Sequence, residues 1–124
     1  MPTSGIEEFA RLLVQNVRDS AIRSCEILTD PEARSPAALR WRAAGVRPEK
    51  AKVVIPDVVD EAVFCLLNAV DQGLLKVKFM TGAGREVDLT EEGSGELAGW
   101  YMGSGGWRAM FSEEPFVDDF ADLT

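Results

Sequence analysis

The residues best equipped for recognition chemistry crowd into one stretch, GELAGWYMGSGGWRAM at positions 95–110. It carries Trp100, Tyr101 and Trp107 among five glycines, with Glu96 near its start and Arg108 near its end. Large rings with polar tips anchor interfaces and stack on flat ligands, while a guanidinium can clamp a carboxylate or phosphate. Glycines permit positive φ and close backbone approach, for a turn or for a ligand. Glu96, Trp100, Tyr101, Trp107 and Arg108 are therefore the candidate binding residues. A structural reading competes with this one. Trp107, Ala109 and Phe111 alternate like the inward face of a strand, and Arg108, the only base in residues 86–124, could pair with an internal acid.

No catalytic template fits. The chain has no histidine, so neither a Ser-His-Asp nor a Cys-His site can be built, and acid–base work would fall to carboxylates, lysines or Tyr101. Residues 93–98 fit the loose G-x-G-x-x-A dinucleotide pattern, but too little chain follows for the second parallel strand that the motif needs. No glycine is followed by the Lys-Ser or Lys-Thr pair of a phosphate-binding P-loop. Asp118, Asp119 and Asp122 spell D-D-x-x-D, which on a helix puts two carboxylates on one face; a solvated acidic face is the simpler reading. A calcium loop begun at Asp88 has its glycine at Gly93 but Gly99 where the closing glutamate belongs. Cys25 and Cys65 are too few and too isolated for a disulfide framework or a zinc site. We therefore expect no catalytic residues, no metal and no cofactor.

Charge is distributed unevenly along the chain, whose formal net charge is −8. Residues 31–52 hold six Lys or Arg against Glu32 and Glu49, whereas residues 86–124 hold ten Asp or Glu against Arg108. The acidic half repels a phosphate backbone and attracts a basic protein. The basic segment surrounds a single aromatic, Trp41, which is too little for a stacking platform, so nucleic acid is not an expected partner. No apolar run reaches the ~18 residues of a membrane span, and the N-terminus lacks a cationic signal region. A cytoplasmic location and reduced thiols follow as expectations.

The elements that must position these residues read as helices first and a small sheet after. Ser4 and Glu7 have capping-box spacing, and Ile6, Phe9, Leu13, Val17, Ala21, Cys25 and Leu28 recur at helical intervals, leaving Arg11, Arg18 and Arg23 facing water. Ser35 and Pro36 open a short helix closed by Gly45. A third helix is expected from Pro56 to Gln72, with Val58, Val59, Ala62, Val63, Leu66, Leu67 and Val70 making a wide apolar face. The period then changes to two. Leu75, Val77 and Phe79 mark a strand, TGAGR a hairpin, and Val87 and Leu89 the return strand. A third strand is expected at Trp107, Ala109 and Phe111, then a short helix capped by Ser112 with Phe116, Phe120 and Leu123 on one face. The expected class is α+β: N-terminal helices packed on a short C-terminal antiparallel sheet, ending in a short helix, in a single domain over residues 1–124.

The segment LAGWYMGSGGWRAMFSEEPFVDDFADL resembles the C-terminal portion of a family of small bacterial proteins with no assigned activity, which implies a bacterial cytoplasmic setting. Together these observations favour a non-enzymatic protein–protein interaction module, immunity-like or inhibitor-like, binding a protein partner of basic character as a monomer or homodimer. The alternative is a small-molecule pocket at Trp100, Tyr101 and Arg108, followed by a metal-assisted enzyme using carboxylates.

Overall fold

The computed structural model describes residues 3–119. Its first element is a continuous helical rod in three pieces: α1 (Ser4–Leu13), a π-turn (Val14–Arg18) and α2 (Asp19–Ile27). The N-cap is Thr3, whose hydroxyl accepts from the Ile6 N–H at 3.2 Å, so the cap lies one residue ahead of the expected Ser4/Glu7 box. The buried seam departs from the expected period at the π-turn. There the Asp19 N–H bonds to the Val14 carbonyl, five residues back, and the extra residue in that turn advances the seam by one position. Val17 is consequently 49 % exposed, while Val14, Arg18 and Ile22 are buried. Arg18, expected in water, is fully enclosed.

Helix α3 (Pro36–Ala43) starts as its sequence requires, with the Ser35 hydroxyl accepting from the Ala38 N–H and proline at the first helical position. Gly45, at φ +83°, closes it. The next helix, α4 (Pro48–Asp71), begins eight residues before the expected start, and Pro56 lies inside it. A proline there forfeits one backbone hydrogen bond. Packing offsets that loss, because Ala51 and Ile55 bury against Ile22 of α2, with Cys25, Trp41 and Val59 around them. Pro48 serves as the N-terminal proline in place of Pro56.

Only one flank of α4 is covered. Val63, Leu67 and Val70 are buried, whereas Val54, Val58, Ala62 and Leu66 form an exposed row at i, i+4, i+8 and i+12. The expected wide buried face is thus half realised.

Strands β1 (Lys78–Met80) and β2 (Glu86–Asp88) pair antiparallel with Phe79 opposite Val87. A main-chain bond from the Gly82 N–H to the Glu8 carboxylate at 2.8 Å ties this hairpin to α1. Three short helices follow: α5 (Leu89–Gly93), α6 (Leu97–Met102) and α7 (Trp107–Phe111). The expected third strand is therefore helix α7. In a five-residue segment, Trp107 and Phe111 fit an i, i+4 helical face as well as they fit alternation, and Ala109 is exposed rather than inward. The architecture remains α+β, with a two-stranded sheet and its last described helix at α7.

The principal core joins Ile6, Ala10, Leu13 and Val14 of the first rod to Val63, Leu67 and Val70 of α4, to Val87 and Leu89, and to Leu97, Ala98, Tyr101 and Trp107. Each large apolar side chain so buried contributes about 1.5–3 kcal/mol. Phe9 stands edge-on to both Phe79 (5.6 Å) and Trp107 (6.2 Å), clamping the hairpin and α7 onto α1.

Residues 112–119 form no helix. Asp19 accepts from the Glu113 N–H, and Arg18 donates to the Pro115 carbonyl at 2.8 Å. These groups are thus committed to the first rod instead of to local helical bonds. Phe120, Asp122 and Leu123 lie outside the described residues, so the D-D-x-x-D motif is seen only in part, with Asp118 and Asp119 in irregular chain. Among the described residues, no helix is long and apolar enough to cross a membrane.

Candidate functional site

The ionisable groups converge on Asp60, which faces inward from the middle of α4. Its Oδ1 accepts from Arg18 Nε at 2.7 Å and from the Tyr101 hydroxyl at 2.6 Å. Its Oδ2 accepts from Arg108 Nη1 at 2.8 Å and from Arg18 Nη2 at 3.4 Å. Arg18 Nη1 also bonds Asp19 at 2.9 Å and the Ser112 hydroxyl at 2.7 Å. Two guanidiniums and two carboxylates are thereby enclosed with balanced charge. Phe116 covers them, its ring centroid 4.8 Å from the Arg108 guanidinium carbon and 5.9 Å from that of Arg18. Arg108 Nε is buried without a hydrogen-bond partner among the described residues.

Local structure explains how these groups meet. The π-turn rotates Arg18 inward toward α4. Helix α6 lacks a side-chain cap of its own, and Asp71 supplies one from the end of α4, accepting from the Leu97 and Ala98 N–H groups at 3.0 Å each. That bond fixes α6 so that Tyr101 reaches Asp60. The turn through Gly103 and Gly106 then doubles back, and α7 delivers Arg108 to the same carboxylate.

Burial works against the charged form of Asp60, but the hydrogen bonds from Arg18 and Tyr101 outweigh it, so its pKa lies below the ordinary carboxylate value. Burial, and then the bond to Asp60, push the Tyr101 phenol well above its ordinary value. For Arg18, burial opposes the charge and the Asp60 hydrogen bond and charge more than compensate, leaving its pKa raised. The four lone-pair directions of Asp60 are occupied. The cluster acts as a scaffold linking α1–α2, α4, α6 and α7.

A stability profile follows from these directions. A carboxylate with a lowered folded pKa contributes in full above its unfolded value, about 4, and loses that contribution as pH falls through the folded value. A tyrosine with a raised folded pKa contributes in full below its unfolded value, about 10, and loses it as pH rises beyond. With no histidine in the chain, Tm is expected to be flat from about pH 5 to 9 and to fall on both sides. Scanning calorimetry across that range checks this, and a single maximum near pH 6.5 would contradict it.

The five candidate residues are distributed as follows. Tyr101 and Arg108 meet at Asp60 inside the molecule. Trp107 is 3 % exposed and packs 6.2 Å from Trp100, which is half-buried. Glu96 is exposed at the start of α6, away from the cluster. Sequence reasoning missed Asp60, Arg18 and Asp19. Asp60 left a signal, since it precedes Val63 by three positions and Leu67 by seven and so belongs to the buried seam of α4. Arg18 left none, because its burial depends on the π-turn.

Two concavities lie along the open side of α4. The larger, about 400 Å³, is an apolar groove between α2, α3 and α4, with Cys25, Trp41, Val46, Val54, Ile55 and Val58 in its wall and Lys50 at one end. The smaller, about 250 Å³, sits beside Arg108 and is mostly acidic, with Asp57, Asp60, Glu61 and Asp119 alongside Met102 and Val117. Neither wall includes Trp100 or Tyr101. No protein-family model matches the chain, and no curated protein or solved structure is similar enough to match it.

Proposed function

We propose that this chain is a non-enzymatic interaction module of the cytoplasm, and that it docks a helical protein segment along the open side of α4. The observation that carries this reading is the apolar groove bounded by Trp41, Val46, Val54 and Val58. Exposed apolar surface of this kind, contiguous and bordered by charge, marks an interaction site more often than isolated exposed side chains do. The groove continues into the exposed row Val54, Val58, Ala62 and Leu66. The strongly charged groups at the molecule's centre are committed to one another. The two free thiols, Cys25 and Cys65, suit a reducing compartment.

The surroundings specify the partner's chemistry. Lys50 at the groove suits a carboxylate on the incoming segment. The acidic concavity at Asp57 and Glu61, with Met102 and Val117 for an aliphatic stem, suits a basic side chain. The docked segment therefore presents a short aliphatic row with a base toward one end and an acid toward the other.

A designed helical peptide with leucines at i, i+4 and i+8, one lysine and one glutamate is a sufficient probe. Methyl NMR titration is expected to move Val46, Val54, Val58 and the Trp41 indole. Val54→Asp together with Val58→Asp should abolish those shifts while altering stability by less than about 0.5 kcal/mol, because both side chains are more than half exposed. Shifts confined to other surfaces, or none at millimolar peptide, would overturn the reading.

A further inference from the structure

The pattern demanded of the partner is carried by α4 itself, and from this we infer that the segment seated on the open face is α4 of a second copy, packed antiparallel across a two-fold axis. The inference rests on the docking reading above and names its occupant.

Along the charged edge of α4 the order is base to acid. Lys50 and Lys52 come first, Asp57 lies between Val54 and Val58, and Glu61 follows, with Asp57 and Glu61 on the same edge as Lys50. Lys50, Val54, Asp57 and Glu61 recur at i, i+4, i+7 and i+11, which places them on one stripe of the helix. All four are exposed. Their charges are therefore available to a partner, unlike that of Asp60.

A two-fold axis level with Pro56 is the register that sets Val54 of each copy against Val58 of the other. In an antiparallel pair, like edges of the two helices meet. The same register then brings Lys50 of one copy to within one residue, about 1.5 Å along the axis, of Glu61 of the other. Two such contacts arise, one on each side of the axis. Lys50 can lay its aliphatic stem on Met102 or Val117 and place its ammonium among Asp57, Glu61 and Asp119 of the acidic concavity. The apolar groove receives the opposing valines. One operation therefore fills both concavities.

In a parallel pair unlike edges of the two helices meet, so the charged edge of each copy would face the uncharged edge at Ala62 and Lys50 would find no acid opposite it. The charge order on α4 thus selects the antiparallel pair. Because the interface is isologous, it closes at two copies and leaves no free end for further addition.

Sedimentation equilibrium of the full chain tests the inference. A concentration-dependent dimer is expected at micromolar to submicromolar protein. Lys50→Glu should weaken it about tenfold or more, and so should Glu61→Lys, since each puts like charges opposite at two symmetric positions. The double variant Lys50→Glu with Glu61→Lys should restore dimerisation to near the parent value. Within one chain these residues are eleven positions apart on a helix, about 16 Å, beyond the ~8 Å screening length at physiological salt, so intramolecular repair cannot produce the rescue. In a background with Cys25→Ser and Cys65→Ser, Val54→Cys with Val58→Cys should form an intermolecular disulfide on oxidation.

Single reversals that weaken the dimer without rescue by the double variant would overturn the antiparallel register. A chain monomeric at about 1 mM that still holds the probe peptide at Val54 and Val58 would overturn the second copy and leave the docking face standing. A monomer that also fails to hold the peptide would remove both.

Discussion

Asp60→Ala is expected to leave the chain largely unfolded at room temperature, and Asp60→Asn to cost about 3–5 kcal/mol. Removing the carboxylate strands two guanidiniums, Arg18 and Arg108, whose side chains are almost wholly enclosed. Breaking one buried pair typically costs about 3–5 kcal/mol, against a total stability of about 5–15 kcal/mol. Asp60 serves two cations at once, so the alanine variant approaches or exceeds what the fold can lose. Asparagine keeps the volume and can still accept from Tyr101, but leaves Asp19 as the only carboxylate in the cluster. By comparison, Tyr101→Phe removes one hydrogen bond to a charged acceptor and is expected to cost about 1.5–3 kcal/mol. Urea titrations of the three variants give the order directly. Asp60→Asn within about 1 kcal/mol of the parent would show that the cluster contributes little.

The cluster also shows which kind of information a single sequence carries. Elements with local causes were legible. Ser35-Pro36 opens α3, Gly45 and Gly73 follow helix ends at positive φ, and the alternation around Phe79 and Val87 became the hairpin. Pro56 misled because proline is a local signal for a helix start, whereas the fate of α4 is decided by Ala51 and Ile55 packing on Ile22, a contact between distant positions. Arg18 misled for a related reason. A π-turn has no reliable local signature, and its single extra residue exchanges Val17 for Arg18 on the inward face.

The aromatic stretch was half legible. Its residues do meet something, and for Tyr101 and Arg108 that something is Asp60, about forty positions away in the chain. The choice of Arg108 as either an ion-pair partner or a clamp was visible; the identity of its acid was not, because the spacing that puts Asp60 on the buried seam of α4 does not say which distant side chains α6 and α7 will bring to it. The exposed apolar surface lies instead on α4, where an apolar face wide enough for a central helix is only half covered. Val58, Ala62 and Leu66 of that surface appeared in the sequence as core, since hydrophobic periodicity reports that a face is apolar without reporting what covers it.

The turn joining α6 to α7 sets a second large effect, because it determines whether Arg108 reaches Asp60 at all. A Cβ at Gly106 would overlap the Trp100 carbonyl oxygen and stand 2.8 Å from the Gly103 carbonyl oxygen. Both obstacles are backbone, so no side chain can rotate away, and α6 and α7 must separate to admit a methyl group. Gly106→Ala is therefore expected to destabilise by about 3 kcal/mol or more, the upper end of overpacking costs. Two neighbours serve as controls. Gly105 has open space around its Cβ position but φ +67°, so Gly105→Ala pays only the left-handed conformation, about 1–2 kcal/mol. Gly99 lies exposed within α6 with nothing near its Cβ position, so Gly99→Ala is expected to stabilise by about 0.5–1 kcal/mol. Because separating α6 from α7 draws Tyr101 and Arg108 off the same carboxylate, Gly106→Ala and Asp60→Asn should be strongly non-additive in a double-mutant cycle, each removing part of what the other removes. Equal costs at Gly105 and Gly106, or simple additivity with Asp60→Asn, would mean that the turn and the ion cluster are independent, and that α7 is held by Trp107 against Phe9 rather than by Arg108.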